Sequence, residues 1–412
     1  MVARLTVEAG LHTIMSDTFR PRCGSLGLSV RLPATHPPLG SATMRTLSLV
    51  CLLAATTASP EQPAKNTTPI SPEVHPDRKV TFRVRAPKAT EVTLTADWQA
   101  SGAEKMTRDD AGVWSVTVGP LEPGPAIYNF TIDGVAGPDP INPRIKLRAR
   151  TSASIVDVPG DGTELWNPGT VPHGRVELMY VPSKAALPGQ TREVRVYTPP
   201  GYDKGVARKY PVMYLLHGSN DTAAGWTDVG RANYILDNLI AQQKAVPMLV
   251  VMPFGHALPF GGPGDNTKVF EQHLLEDVIP AVEKTYRTAA GRENRAIVGL
   301  SMGGGQALQI GLSHLDLFSH VGAFSSAIPG DFSTRFKALL DDPAGTNAKL
   351  KVLFIACGKQ DGAFARSQEL DKTLTAHKID HTFYPTEGRH NFAVWRQYLG
   401  QIAPMLFRDA GK

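Results

Sequence analysis

Gly299-Leu300-Ser301-Met302-Gly303 sets a serine between two glycines. That spacing lets a chain turn sharply from a strand into a helix with the serine hydroxyl at the apex. The flanks fit, because Ala296 to Leu300 is an apolar run that reads as a strand and Gly304 to Leu312 suits a helix. A serine hydroxyl is a weak nucleophile near neutral pH. The chemistry implied is therefore base-assisted attack on an acyl carbonyl, with a histidine to take the proton and a carboxylate to orient that histidine.

With a G-x-S-x-G turn of this kind, the acid and then the histidine are expected to follow the serine along the chain. His390 comes after the extended stretch from His381 to Tyr384 and before a helical run, which puts it at the carboxyl edge of the sheet. His314 and His320 belong with the helix after Ser301 or the strand beyond it, His377 with a polar helix, and His381 with the start of a strand. Asp361 follows the apolar run Lys351 to Ala356 through a Gly-containing turn and reaches the same edge. Asp341, Asp342, Asp371 and Asp380 fall in helix or loop segments, where a solvated carboxylate explains them. Charge developing on the tetrahedral oxygen needs N–H groups already in place. Met302, directly after the serine, supplies one. Ser219, at the end of the run Val212 to Leu216 in His217-Gly218-Ser219, supplies the other, with Gly218 permitting close backbone approach.

These residues need a frame. Extended runs at Glu193–Tyr197, Val212–Leu216, Met248–Met252, Ala296–Leu300 and Val352–Ala356 alternate with helical stretches such as Ala232 to Gln243 and Phe270 to Tyr286. Continuous apolar strands between helices imply a mostly parallel sheet buried on both faces, an α/β-hydrolase fold spanning residues 171–410. Ahead of it, residues 76–160 carry short alternating runs such as Val80–Arg85, Val92–Ala96, Val113–Val118 and Ala126–Ile132, with turns at Asp109–Gly112 and Asp133-Gly134. Period two at that spacing predicts a small antiparallel β-sandwich. Trp98, Trp114 and Tyr128 on this sandwich are read as packing residues and the sandwich as a structural accessory.

Residues 59–75, rich in Pro, Thr and Ser, read as a linker, and residues 1–58 as a leader. Within the leader, Met44, Arg45, the apolar run Leu47 to Ala55 and the small residues before Pro60 read as a signal peptide at 44–58, which predicts a secreted or periplasmic protein. That run is too short for a stable membrane anchor. The leader holds five Arg against Glu8 and Asp17, so the formal charge of +5 shrinks to +2 without it. With no basic run interleaved with aromatics, nucleic-acid binding is excluded. A small-molecule or polysaccharide-linked ester is the expected partner. Cys23 and Cys51 lie in the leader, which leaves Cys357 alone in a mature chain. No cofactor is expected: His217, His256 and His390 lack paired metal-ligand spacing, and serine catalysis needs no ion.

The stretches YPVMYLLHGSNDTAAGW, PMLVVMPFGHA, IVGLSMGGGQAL, CGKQD and EGRHNFAVWRQYL resemble the esterase family that includes carbohydrate esterase family one feruloyl and acetylxylan esterases, enterochelin esterases and esterase D. The resemblance implies a serine ester hydrolase whose nucleophile, acid and base fall on Ser301, Asp361 and His390, and whose oxyanion amides fall on Met302 and Ser219. FRVRAPKATEVTL, GVWSV, YNFTIDGV and DPINP are similar to the immunoglobulin-like module related to family 48 carbohydrate-binding modules. The combination implies a feruloyl esterase acting on plant cell-wall xylan, with siderophore and acetyl esterases as alternatives. Where the family often has Asn-Gly, this chain has Phe254-Gly255, a more apolar choice. Trp226, Phe254, His256, Phe260 and Trp395 are expected to line an aromatic acyl pocket.

Overall fold

The computed structural model describes residues 68–184, 188–202, 207–328, 330 and 332–408. The leader, the signal peptide at 44–58, Cys23, Cys51 and most of the linker at 59–75 lie outside the described residues.

The larger layer is an eight-stranded sheet of β1 (Arg175–Ser183), β2 (Gln190–Thr198), β3 (Val212–Leu216), β4 (Leu249–Pro253), β5 (Arg295–Leu300), β6 (His320–Phe324), β7 (Val352–Gly358) and β8 (Thr382–Thr386). Their spatial order is β1-β2-β4-β3-β5-β6-β7-β8. β1 and β2 form an antiparallel hairpin, β2 runs antiparallel to β4, and every later pairing is parallel. The parallel strands are apolar at nearly every position because each alternate side chain enters a different core. Tyr214, Leu216 and Ile297 join the cluster with Phe270 and Leu308. Met213, Leu215, Val298 and Leu300 join the one with Trp226, Leu236, Tyr398 and Ile402. The helices that matter for the site are α1 (Ala232–Ala241), α2 (Met302–Ser313), α3 (Phe364–Ala376) and α4 (Phe392–Ile402). The helical stretch expected over Phe270 to Tyr286 begins earlier, at Asn266, and passes through a π turn at Leu274–Val278.

The preceding region forms two antiparallel sheets facing one another. One carries Glu73–Val74, Val80–Arg85, Val113–Val118 and Thr107–Arg108, and the other centres on Val92–Ala96, Gly124–Ile132 and Ser152–Val158, with Ile145–Leu147 at one edge. Phe82, Leu94, Trp114, Tyr128 and Phe130 fill the space between them. Three residues of this module, Ile127, Ala153 and Ile155, belong instead to the apolar cluster of the large sheet beside α1 and α4. Arg396 on α4 is buried and donates to Pro125 O of the sandwich. The sandwich thus keeps a core of its own while packing one face into that of the large sheet.

Candidate active site

Ser301, Asp361, His390, His217 and Ser219 all follow the carboxyl ends of parallel strands, the edge where open α/β sheets place their ligands. Ser301 follows β5 with φ 54° and ψ −116°, a conformation that L residues adopt only under constraint. The constraint is visible: Ser301 N–H donates to Phe324 O at 2.8 Å, and its carbonyl accepts from Gly305 N and Ala327 N at 3.0 Å each. The turn is tight enough to exclude side chains on both flanks. A Cβ on Gly299 would sit 2.2 Å from Gly303 O, and one on Gly303 would sit 2.5 Å from His217 O. α2 starts immediately afterwards, so its unpaired N–H groups, Met302 first, face the region beside the serine.

Asp361 lies three residues past β7, buried, and accepts from His390 Nδ1 at 2.9 and 3.0 Å and from Ala363 N at 2.8 Å. Burial pushes the carboxyl up, but the bonds from His390, the Ala363 N–H and Ser325 outweigh it and hold it below the ordinary value. An ionised carboxylate has no proton to give, so the hydrogen of this bond is on His390 Nδ1 and Nε2 is the ring nitrogen left to face the cavity's chemistry. The Trp395 ring stands perpendicular to His390 with centroids 5.0 Å apart, and its Nε1 donates to Ser325 Oγ at 3.0 Å. The indole therefore packs both the histidine and a neighbour of the carboxylate.

The chain after β3 is fixed by His217. Gly255 N–H donates to His217 Nε2 at 2.8 Å, so the ring hydrogen is on Nδ1, which donates to Gly218 O at 2.8 Å. Complete burial lowers its pKa and keeps the ring neutral. Gly218 passes so close that a Cβ there would meet Leu300 and Ser301. Ser219 follows, on the rim of the same cavity as Ser301.

That cavity, about 290 Å³, brings together Ser301, His390, Ser219, Phe392 and Trp395 from the large sheet's edge. Its other wall comes from the sandwich: Asp97, Ile127, Lys146 and Arg148. Reading the sandwich as a structural accessory is thus corrected, and four wall residues were missed. The sequence did hold a signal, a cation at every second position in Lys146-Leu-Arg-Ala-Arg150, but on a short edge strand such alternation is also what a solvated face looks like. Asp97 accepts from Ile127 N at 3.0 Å, and burial raises its carboxyl to about 6, against partial relief from that bond and from Arg396 and Arg148. Asn391, next to the histidine, caps α4 by accepting from Ala393 N and donates to Asp97 O at 3.1 Å.

The aromatic residues expected around the acyl group separate into three places. Trp395 lines the Ser301 cavity. Trp226 does not: it is fully buried under α4, donating to Leu216 O at 3.0 Å and meeting Phe392 edge-on, because the large indole fills the gap between the sheet and two helices. Phe254, His256 and Phe260 line a second cavity of about 260 Å³ with Arg192 and Ala149. Their rings pack on one another and on His217, and desolvation lowers His256 to about 4. Of the sandwich aromatics, Trp114 and Tyr128 are core, whereas Trp98 lines a groove between the modules with Arg389 and Asn391.

Comparison with known proteins gives two family matches. The model of the family described as "Putative esterase" matches residues 185–406, and that of carbohydrate-binding module 48 (isoamylase N-terminal domain) matches residues 70–147. An endo-1,4-beta-xylanase/feruloyl esterase of Xylanibacter ruminicola is 31% identical over 346 residues, which are 82% of this chain and 46% of that one. The chain thus spans about half the length of that relative. Among solved structures, a ferulic acid esterase from Anaeromyces mucronatus in complex with ferulic acid is 25% identical, with a TM-score of 0.52 over 58% of this chain and 93% of that chain. The enterobactin esterase of Shigella flexneri is 18% identical with a TM-score of 0.59 over 81% and 94%, a likeness of fold alone that extends across both modules.

Proposed function

Because this chain belongs to the esterase family whose model spans residues 185–406, we propose that it hydrolyses carboxylic esters through an acyl-enzyme on Ser301. His390 Nε2 takes the hydroxyl proton as Ser301 Oγ adds to the ester carbonyl, and the Met302 and Ser219 N–H groups receive the oxyanion. Collapse expels the alcohol, which leaves with the proton held by His390. Water then attacks the acyl-serine by the same route in reverse, the carboxylic acid departs and Ser301 is regenerated. Asp361 stabilises the imidazolium in both halves. The observation that carries this reading is the buried Asp361 bonded to His390 Nδ1 at the rim of the cavity that holds the strained Ser301.

A hydroxycinnamoyl ester, such as a feruloyl group on xylan, is the substrate we favour. It is supported by the relative carrying a feruloyl esterase name, by the 25% identical ferulic acid esterase, and by Trp395 and Phe392 beside the histidine, which offer apolar faces to a flat acyl group. The test is kcat/KM for methyl ferulate against p-nitrophenyl acetate, with a cyclic catecholate ester alongside. A preference for ferulate of about 100-fold or more is expected, the scale at which pocket contacts discriminate. Preference for the catecholate would instead assign a siderophore substrate, and activity on acetate alone a short-chain esterase. Export is inferred from residues 44–58, and amino-terminal sequencing of the mature protein checks it.

A further inference from the structure

Lys146 sits on the edge strand of the sandwich, where it pairs with Ala153 across the ladder, and it turns inward. Its Nζ lies 2.6 Å from Asp221 Oδ1, with only 6% and 8% of the two side chains exposed. Asp221 is two residues past Ser219, in the turn closed by Asp221 N to Gly218 O at 3.3 Å, and the same Oδ1 accepts from Thr222 N at 2.8 Å. Between them, Asn220 takes φ 58°. The sandwich holds that residue as well, through Ala149 N to Asn220 O at 3.4 Å. The turn carrying Ser219 is therefore fixed from the sheet side by His217 on Gly255 and from the sandwich side by Lys146 and Ala149.

A buried ion pair is a poor device for stability alone, since desolvating both charges offsets most of their attraction. What it does well is fix position, because the two atoms meet in one geometry. Resting on the serine-esterase reading above, we infer that Lys146 is a positioning residue which, by clamping Asp221, aims the Ser219 N–H at the developing oxyanion. The carbohydrate-module-like domain is in this sense a structural part of the oxyanion hole. Lys146 Nζ also lies 5.3 Å from the centroid of the Phe392 ring, so it is braced against the helix that follows His390.

The test uses the full chain. Lys146→Met alone would strand a buried carboxylate and can unfold the protein, so the informative variant is Lys146→Met with Asp221→Asn, its folding checked by circular dichroism and thermal melting. Lys146→Arg serves as the conservative control. Four quantities are read: kcat and KM on methyl ferulate, inhibition by an arylboronic acid that forms a tetrahedral adduct on the serine, and binding of free ferulate. Loss of one oxyanion donor costs about 10²–10³ in kcat, so mis-aiming one should cost about 10- to 100-fold. The double variant should show that fall in kcat, a matching loss of boronate affinity, KM and ferulate binding within about threefold, and recovery in Lys146→Arg. A folded double variant with parental kcat and boronate affinity would overturn the inference. So would kcat, KM and ferulate binding all weakening together with the melting temperature, the signature of a merely structural pair. A parent without ester turnover would overturn the esterase reading, and this one with it.

Discussion

The two walls of the Ser301 cavity are built by different physical means. On the sheet side, backbone sterics do the work: β5 and β6 pin a serine at positive φ, glycines leave no room for a Cβ on either flank, and the histidine is oriented by one carboxylate. On the sandwich side, charge does it: Lys146 is neutralised by Asp221, while the half-buried Asp97 has a pKa raised by desolvation and Arg148 stands near both acids. Two aspartates, one on each wall, show the contrast. Asp361 has a histidine and an N–H from its own loop and is held low. Asp97 has a backbone N–H, with its cations farther off, and is pushed up to about 6. Burial raises both, and at Asp361 the hydrogen bonds from His390, the Ala363 N–H and Ser325 together reverse the sign.

The largest expected effect comes from removing that reversal. Asp361→Asn should leave the fold intact and let His390 adopt the wrong tautomer, lowering kcat by about 10⁴ with little change in KM; a loss under tenfold would remove Asp361 from its assigned role. Next is the steric side. Gly303→Ala places a methyl 2.5 and 2.7 Å from the carbonyl oxygens of His217 and Leu216. Urea unfolding should show a loss of about 1–3 kcal/mol, and kcat should drop as the elbow shifts. Trp395→Leu should lower kcat/KM for methyl ferulate by about tenfold and for p-nitrophenyl acetate by less, since the indole both braces His390 and offers a face to an aromatic acyl group. Equal losses on the two esters would confine Trp395 to bracing.

The smallest effect isolates Asp97. Its folded pKa of about 6 lies above the ordinary value of 3.8, so the folded state binds the proton more tightly than the unfolded one. Whatever stability Asp97 contributes is fully present below 3.8 and falls away as pH rises toward 6 and beyond. Asp97→Asn keeps the acceptor for Ile127 N–H and removes the titration. Its melting temperature should match the parent's near pH 4 and exceed it by a few degrees, about 2–5 °C, at pH 7. A difference independent of pH would contradict the burial account.

The sequence made the sheet side readable and hid the sandwich side, for a physical reason. An elbow needs particular residue types at consecutive positions, so Gly299, Ser301 and Gly303 announce it locally, and the parallel strands announce themselves because burial on both faces demands unbroken apolar runs. Lys146 and Asp221 are 75 residues apart and meet only through the docking of two modules. Nothing near either one distinguishes a clamped ion from a solvated one. Trp226 misled for a related reason: a tryptophan close to the Ser219 turn can point into the cavity or under it, and only the position of Phe392 and Phe324 shows that it points under. The strands at Arg175–Ser183 and Ser152–Val158 also escaped notice. The first, an edge strand, alternates in burial but carries Val176, Leu178 and Tyr180 on its exposed face, so its residue types do not alternate, while the second reads as a continuous run because it packs against both the sandwich core and the large sheet.

The central claim is that one serine, Ser301, carries the acyl group. Labelling with an aryl fluorophosphonate, followed by intact and peptide mass spectrometry, tests it most directly when run beside turnover of methyl ferulate. The account predicts a single adduct on the peptide containing Ser301, with loss of turnover in proportion to labelling, and neither adduct nor turnover in Ser301→Ala. Labelling at another residue, or a folded Ser301→Ala protein that still turns over ester at the parental rate, would contradict it.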